Sequence, residues 1–178
     1  MTSADEKAVY KITINASIDK VWSELVKTDE VLPFFFGSVC KANGELQVGS
    51  AIAMETKNGK YRSVVGTVLE FSPPHRYSHT FKFTGYEDQP CTVTYDLKEV
   101  SEGVEFTLTT TNVPVGTKTE KGMAQGGPFI CQVFKSVVET GKPNLGHRLM
   151  LGLMGAFEPL TPKQCKSENW GFDKILKL

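Results

Sequence analysis

Arg76-Tyr77-Ser78-His79-Thr80-Phe81-Lys82-Phe83-Thr84 is the stretch on which the fold turns. Tyr77, His79, Phe81 and Phe83 alternate with Ser78, Thr80 and Lys82, a period of two that sends one set to a dry face and the other to water. The pattern predicts a half-buried strand of an antiparallel sheet. Just downstream, Val93, Tyr95 and Leu97 alternate with Thr92, Thr94 and Asp96 in the same way.

Working outward, turn residues divide the chain around this stretch into strand-length pieces. Asn43-Gly44, Val48-Gly49, Asn58-Gly59, Pro73-Pro74, Gln89-Pro90 and Glu102-Gly103 separate strands expected near 38–42, 51–56, 61–71, 76–84, 91–100 and 104–111. Before them, Val9-Tyr10-Lys11-Ile12-Thr13-Ile14 reads as a first strand. Ser17 is placed to cap a helix whose apolar stripe is Ile18, Val21, Trp22, Leu25 and Val26. Thr28-Asp29 breaks that helix, and a second short one is expected to end in Pro33-Phe34-Phe35-Phe36.

After the sheet, residues 112–127 read as a loop, with Pro114, Gly116, Gly122 and Gly126-Gly127. Pro128 suits a first helical position, and Ile130, Val133, Phe134, Val137 and Val138 form a stripe that stops at Gly141. An earlier start near Thr119, with a distortion at the double glycine, is the alternative.

The 178 residues suit one domain with a sizeable core, and 40% hydrophobic against 22% charged residues is ordinary for a globular chain. Twenty Lys plus Arg against twenty Asp plus Glu argues against a non-specific grip on nucleic acid or anionic membrane. Cys40, Cys91, Cys131 and Cys165 include no CxxC pair and read as buried free thiols. Met1 to Lys7 is polar, without the apolar stretch of a signal peptide, and no segment is apolar for long enough to span a membrane, so the expected setting is the cytoplasm.

The order strand, two helices, six strands, long helix resembles the helix-grip (SRPBCC) superfamily, which includes START-like and Bet v 1-like proteins. Within it the chain is similar to the branch named after the activator of Hsp90 ATPase. The similarity rests on Ile14-Asn15-Ala16-Ser17 before Val21-Trp22, Phe35-Phe36-Gly37, Leu46-Gln47-Val48-Gly49-Ser50, Gly66-Thr67-Val68-Leu69-Glu70-Phe71 and Pro73-Pro74-His75-Arg76-Tyr77. It covers roughly residues 9 to 141. Two positions depart from the family: Gly127-Pro128-Phe129 stands where it often opens its last helix with Gly-Trp, and Gly49-Ser50 replaces a glycine pair. The resemblance implies an α+β helix-grip domain over 1–141, a curved antiparallel sheet of six to seven strands around a long C-terminal helix; the tail over 142–178 is longer than the minimal domain needs and is expected to pack on the same domain as an extension. The resemblance also implies an apolar cavity for a small hydrophobic molecule such as a lipid, polyketide or aromatic metabolite, and no cofactor.

The residues expected to wall that cavity are Trp22, Phe34, Phe35, Phe36, Tyr77, His79, Phe81, Phe83, Tyr95, Phe129, Val133 and Val137. His79, between Tyr77 and Phe81 on the dry face, is the one candidate for acid–base chemistry, set against the simpler reading of a hydrogen-bonded core histidine. On that candidate rests a cavity-enzyme alternative of the cyclase, aromatase or hydrolase kind; an Hsp90-activator-like interaction domain is the other alternative. No nucleophile elbow, HExxH or phosphate loop occurs, Cys131 reads as structural, and histidines at 75, 79 and 147 make no metal site. In the extension, Leu149, Met150, Leu153, Met154 and Phe157 form a helical stripe expected to cover a sheet edge or the cavity mouth, or else to form a homodimer contact. His147 and Arg148 alone offer its polar side little basic anchorage for a membrane.

Overall fold

A computed structural model describes residues 7–178; the polar lead Met1–Glu6 lies outside the described residues. The chain runs β1 (Ala8–Ile14), α1 (Ile18–Leu25), β2 (Val31–Leu32), a single turn of 3-10 helix (Pro33–Phe35), β3 (Ser38–Ala42), β4 (Ala51–Glu55), β5 (Arg62–Ser72), β6 (Arg76–Phe83), β7 (Cys91–Val100) and β8 (Gly103–Thr111). The helix α2 (Lys118–Thr140), α3 (Leu145–Ala156), three 3-10 turns and α4 (Phe172–Ile175) follow. The strands form one antiparallel sheet in the order β1-β8-β7-β6-β5-β4-β3-β2. It has eight strands where six to seven were expected, because the two-residue β2 adds an edge.

Register carries the alternation across the sheet. Tyr77 faces Tyr95 and Tyr95 faces Leu108, so one inward row crosses three strands, while His79 faces Val93 in the next. The β8 strand alternates buried and half-buried residues without a fault. Bulges between Met54 and Glu55 in β4 and between Val68 and Glu70 in β5 bend the sheet. At Gly66 an added Cβ would stand 1.9 Å from the Thr80 carbonyl oxygen, so only glycine permits that close crossing of β5 over β6.

Helix α1 starts as its sequence asks: the Ser17 hydroxyl accepts from the Lys20 amide at 3.4 Å, and Ile18, Val21 and Leu25 are buried. Helix α2 begins at Lys118, ten residues before Pro128, and runs uninterrupted through Gly126-Gly127. Tertiary contacts override the poor local propensity of this first half. Thr117 Oγ1 caps the Glu120 amide at 3.2 Å, Glu120 reaches back to the Gly116 amide at 2.6 Å, and Asp88 accepts from the Thr119 amide at 3.0 Å. That amide holds the Asp88 carboxyl below its usual range. Gly141, at φ 78°, closes the other end with its amide on the Val137 carbonyl.

The main core lies between the concave face of the sheet and α2, with α1 closing one end. A second cluster lies on the convex face: Trp170 and Ile175 from the extension bury Ala51, Ala53 and Val65. Arg62 fastens it, pairing with Glu55 at 2.9 Å, donating to the Trp170 carbonyl and lying 4.7 Å over the Phe172 ring. All four cysteines are free and buried. Among the described residues no helix is long and apolar enough to cross a membrane.

Candidate functional site

Between the sheet and the first half of α2 lies a cavity of about 460 Å³, within the range of small-molecule sites. Its origin is a run of missing side chains. Gly122 and Gly126 are four residues apart, hence on one helix face, and both border the cavity. A Cβ at Gly122 would stand 3.0 Å from the Phe83 ring, and one at Gly126 would stand 3.9 Å from the tip of Phe36. Gly127 borders the cavity as well, but a Cβ there would meet the Tyr10 ring at 2.3 Å, so its lack of a side chain also lets α2 lie close on β1.

Aromatic rings form the walls. Phe35 ends the 3-10 turn and Phe36 directly follows it, Phe81 and Phe83 come from β6, Tyr95 from β7 and Phe129 from α2. Phe36 is held in the left-handed region at φ 55°, and its ring stacks on Phe129 at 4.5 Å and 8°. A non-glycine residue in that conformation is uncommon, and this one aims a ring at the site. Polar groups are few: Ser38, Ser63, Gln125 and the Tyr86 and Tyr95 side chains. Met150 and Met154 of α3 close the roof with adaptable thioethers.

At the other end the same interior is nearly full. Phe34, Tyr77, His79 and Tyr95, with Leu25, Leu32, Cys40 and Met54, leave a void of about 10 Å³, room for one water at most. Phe34 meets Phe134 edge-on at 4.7 Å, and Tyr77 stacks on Tyr95 at 5.8 Å.

Six of the twelve residues expected from sequence therefore meet at the cavity: Phe35, Phe36, Phe81, Phe83, Tyr95 and Phe129. The other six do not line it. Phe34, Tyr77 and His79 border the filled end, Trp22 packs on Phe71 at 5.4 Å, and Val133 and Val137 are buried under α2. The catalytic reading of His79 fails for a physical reason. Its ring is 1% exposed among Tyr77, Phe81 and Tyr95, and Nδ1 donates to the Thr80 carbonyl at 2.8 Å. Burial disfavours the charged imidazolium and lowers its pKa to about 4. It is a neutral core histidine. Burial likewise pushes the Cys40 thiol up to about 12 and Cys131 to about 11, which removes the thiolate a nucleophile needs. The residues not anticipated as walls include Tyr86, Met123, the glycines of α2 and the methionine pair; the glycines carried the signal, but a loop reading hid it.

Residues 15–139 match the family model of the activator of Hsp90 ATPase homolog 1-like protein. The chain belongs to that family. Among curated proteins none matches it. Solved structures similar to this family member include a protein of Cytophaga hutchinsonii determined in solution, 28% identical with a TM-score of 0.58, covering 76% of this chain and 95% of that one. The Aha1 dimer from Colwellia psychrerythraea is 17% identical with a TM-score of 0.61, covering 77% of this chain and 98% of that one. DynU16, from the dynemicin biosynthetic locus, is 19% identical with a TM-score of 0.62, covering 79% of this chain but 49% of that one. The last two likenesses concern the helix-grip fold alone.

Proposed function

We propose that the chain is a binding protein for a small, largely apolar molecule, seated between the sheet and the glycine face of α2. The observation that carries this reading is the cavity of about 460 Å³ walled by seven aromatic rings. A ligand burying roughly 300 Å² of apolar surface gains about 7 kcal/mol at ~25 cal/mol per Å². Ordering and loss of free motion take back a large part, and micromolar affinity or weaker is the expected range. Phe36, Phe83 and Phe129 form the walls, and the Tyr95 hydroxyl and Ser63 orient whatever polar atom the ligand carries. In this reading the extension over 142–178 is part of the same domain, because α3 roofs the site. The setting is the cytoplasm, in keeping with four reduced thiols. An enzyme reading has no group behind it once His79 is enclosed.

The test is incubation of the purified chain with a mixed library of lipids and aromatic metabolites, followed by native mass spectrometry. One retained molecule per chain, displaced by an apolar fluorescent probe in competition, is the expected result. No retained mass and no saturable probe binding overturns the reading.

A further inference from the structure

We propose that the cavity takes a molecule whose buried end carries an uncharged, hydrogen-bond-accepting oxygen, as in an aryl ketone, and that the Tyr95 hydroxyl receives it. The assignment rests on the ligand reading above and names the chemical class which that reading leaves open. Polar side chains are unevenly placed around the cavity. Ser63 and Gln125 are exposed and Ser38 and Tyr86 half-buried, so all four stand toward the mouth. Among the described residues that line the cavity, Tyr95 is the one buried polar side chain, at 3% exposure.

Its hydroxyl makes no hydrogen bond to any described residue, and a buried hydroxyl left so keeps the cost of having left water. Nor is it sealed. Among the described buried and half-buried side chains, His147 Nδ1 is the one polar atom both shut off from solvent and unpaired, so the Tyr95 oxygen opens onto space. Tyr95 borders two spaces, the cavity and the void of about 10 Å³ at the filled end. Tyr77 provides the contrast: it is 4% exposed, stacks on Tyr95 at 5.8 Å and borders the void alone. The same phenol thus stands twice in one row, once within reach of a ligand and once out of reach.

Charge fixes what this hydroxyl can receive. Burial raises the Tyr95 pKa above its ordinary value, and the neighbouring Cys131 and Cys40 add to the shift, so the phenol stays protonated and donates. His79, 5.9 Å away ring to ring, is neutral, as are both thiols. No described residue lining the cavity is Asp, Glu, Lys, Arg or His. A carboxylate brought to this end would leave water for one neutral donor and no countercharge, and an ammonium would find no anion. Such groups are left to the mouth, where Tyr95 cannot help them. A ketone oxygen asks only for a donor, and Phe35, Phe81 and Leu108 receive the apolar body beside it.

The experiment is competition by 2-acetylnaphthalene, 2-ethylnaphthalene and 2-naphthoate for Nile red bound to the full chain near neutral pH, repeated with Tyr95→Phe and with Tyr77→Phe. In the unaltered chain the ketone should bind about tenfold or more tighter than the carboxylate on the same skeleton. Tyr95→Phe should weaken the ketone about three- to tenfold, the range of one hydrogen bond, and move the hydrocarbon and the carboxylate by less than about twofold. Tyr77→Phe should leave the ratio of ketone to hydrocarbon where it was. Both variants lose a buried hydroxyl from the same row, so the pair separates recognition from packing; a merely structural Tyr95 would weaken all three ligands together. Melting curves show that each variant is folded. If Nile red binds and Tyr95→Phe leaves the ratio unchanged, or Tyr77→Phe shifts it equally, or the carboxylate binds as tightly as the ketone, the Tyr95 assignment is overturned and the ligand reading stands. If neither Nile red nor any of the three ligands binds the unaltered chain, both fall.

Discussion

The two halves of α2 face the same sheet and do opposite things to it. From Val133 onward the helix sends Val133, Phe134, Val137 and Val138 into the interior, and the space there is full. Before that point the same face carries Gly122 and Gly126, and a cavity of about 460 Å³ remains. The sheet opposite carries aromatic rings in both halves, Phe81 and Phe83 at the hollow one and Tyr77 and Phe106 at the filled one, so the rings do not decide where the hollow lies. The helix does. A helix-grip interior is hollow where its helix withholds side chains, and that statement can be broken at each half separately.

The largest effect is expected in the filled half. Phe134 is wholly buried, edge-on to Phe34 at 4.7 Å and tilted on Phe106 at 4.9 Å. Phe134→Ala should cost about 3–5 kcal/mol, the transfer loss plus the cavity it opens, read from urea unfolding midpoints. A loss under about 1 kcal/mol would mean that this half is as loosely packed as the other, and the contrast would vanish.

The next effect belongs to the filled end of the sheet. His79 keeps a pKa of about 4 in the folded chain, whereas in the unfolded chain it titrates near 6.5. Between those values the unfolded state takes up a proton that the folded state refuses, so stability falls as pH drops from about 6.5 to 4 and is undiminished above that window. The loss is of order 3 kcal/mol. Unfolding midpoints measured at intervals from neutral pH down to about 4 check it, and His79→Leu should flatten that part of the profile. A flat profile in the unaltered chain would place the ring in contact with water.

How much of this was legible beforehand follows the same division. Strands around 38–42, 76–84 and 91–100 could be read to within a residue or two, because β-branched alternation and turn pairs such as Asn58-Gly59 act locally. The two residues of β2 are too few to show a period. The first half of α2 read as a loop because glycine and proline lower helix propensity, while the contacts that hold it, Asp88 on the Thr119 amide and Tyr10 against Gly127, come from distant strands. For the cavity, alternation told which side chains point inward but not which of them find neighbours. Tyr77 and Tyr95 lie directly opposite each other on adjacent strands, yet only Tyr95 reaches the open space. Period gives direction; filling depends on what the facing helix supplies.

In the hollow half a substitution should therefore act on binding and not on stability. Gly126→Leu points a side chain into the space beside Phe36, where a Cβ has ordinary contact distance. We expect apolar probe binding to weaken by about tenfold or more while stability is unchanged or rises by up to ~1 kcal/mol, because leucine is the better helix former. Probe titration and urea unfolding of the same sample separate the two. Retained binding would move the site away from the glycine face.

The smallest change sharpens the comparison most. At Gly122 an added methyl group would stand 3.0 Å from Phe83 Cε2 and 3.1 Å from its Cζ, tighter than ordinary contact. Those atoms are the far end of a ring that is only half-buried, with the cavity beside it. Phe83 can yield by a few tenths of an ångström, so Gly122→Ala should change stability by less than about 1 kcal/mol, the helix gain offsetting the displaced ring. Probe affinity should fall by a factor of about two to three, since the shifted ring narrows the space without filling it. Gly127→Ala, one turn on, has no such slack: the methyl would overlap Tyr10 at 2.3 Å, and the loss of stability should be about 1–3 kcal/mol. If thermal melts of the two alanine variants coincide, the glycines of α2 share one role, and the division between a face that makes room and a face that makes contact is wrong.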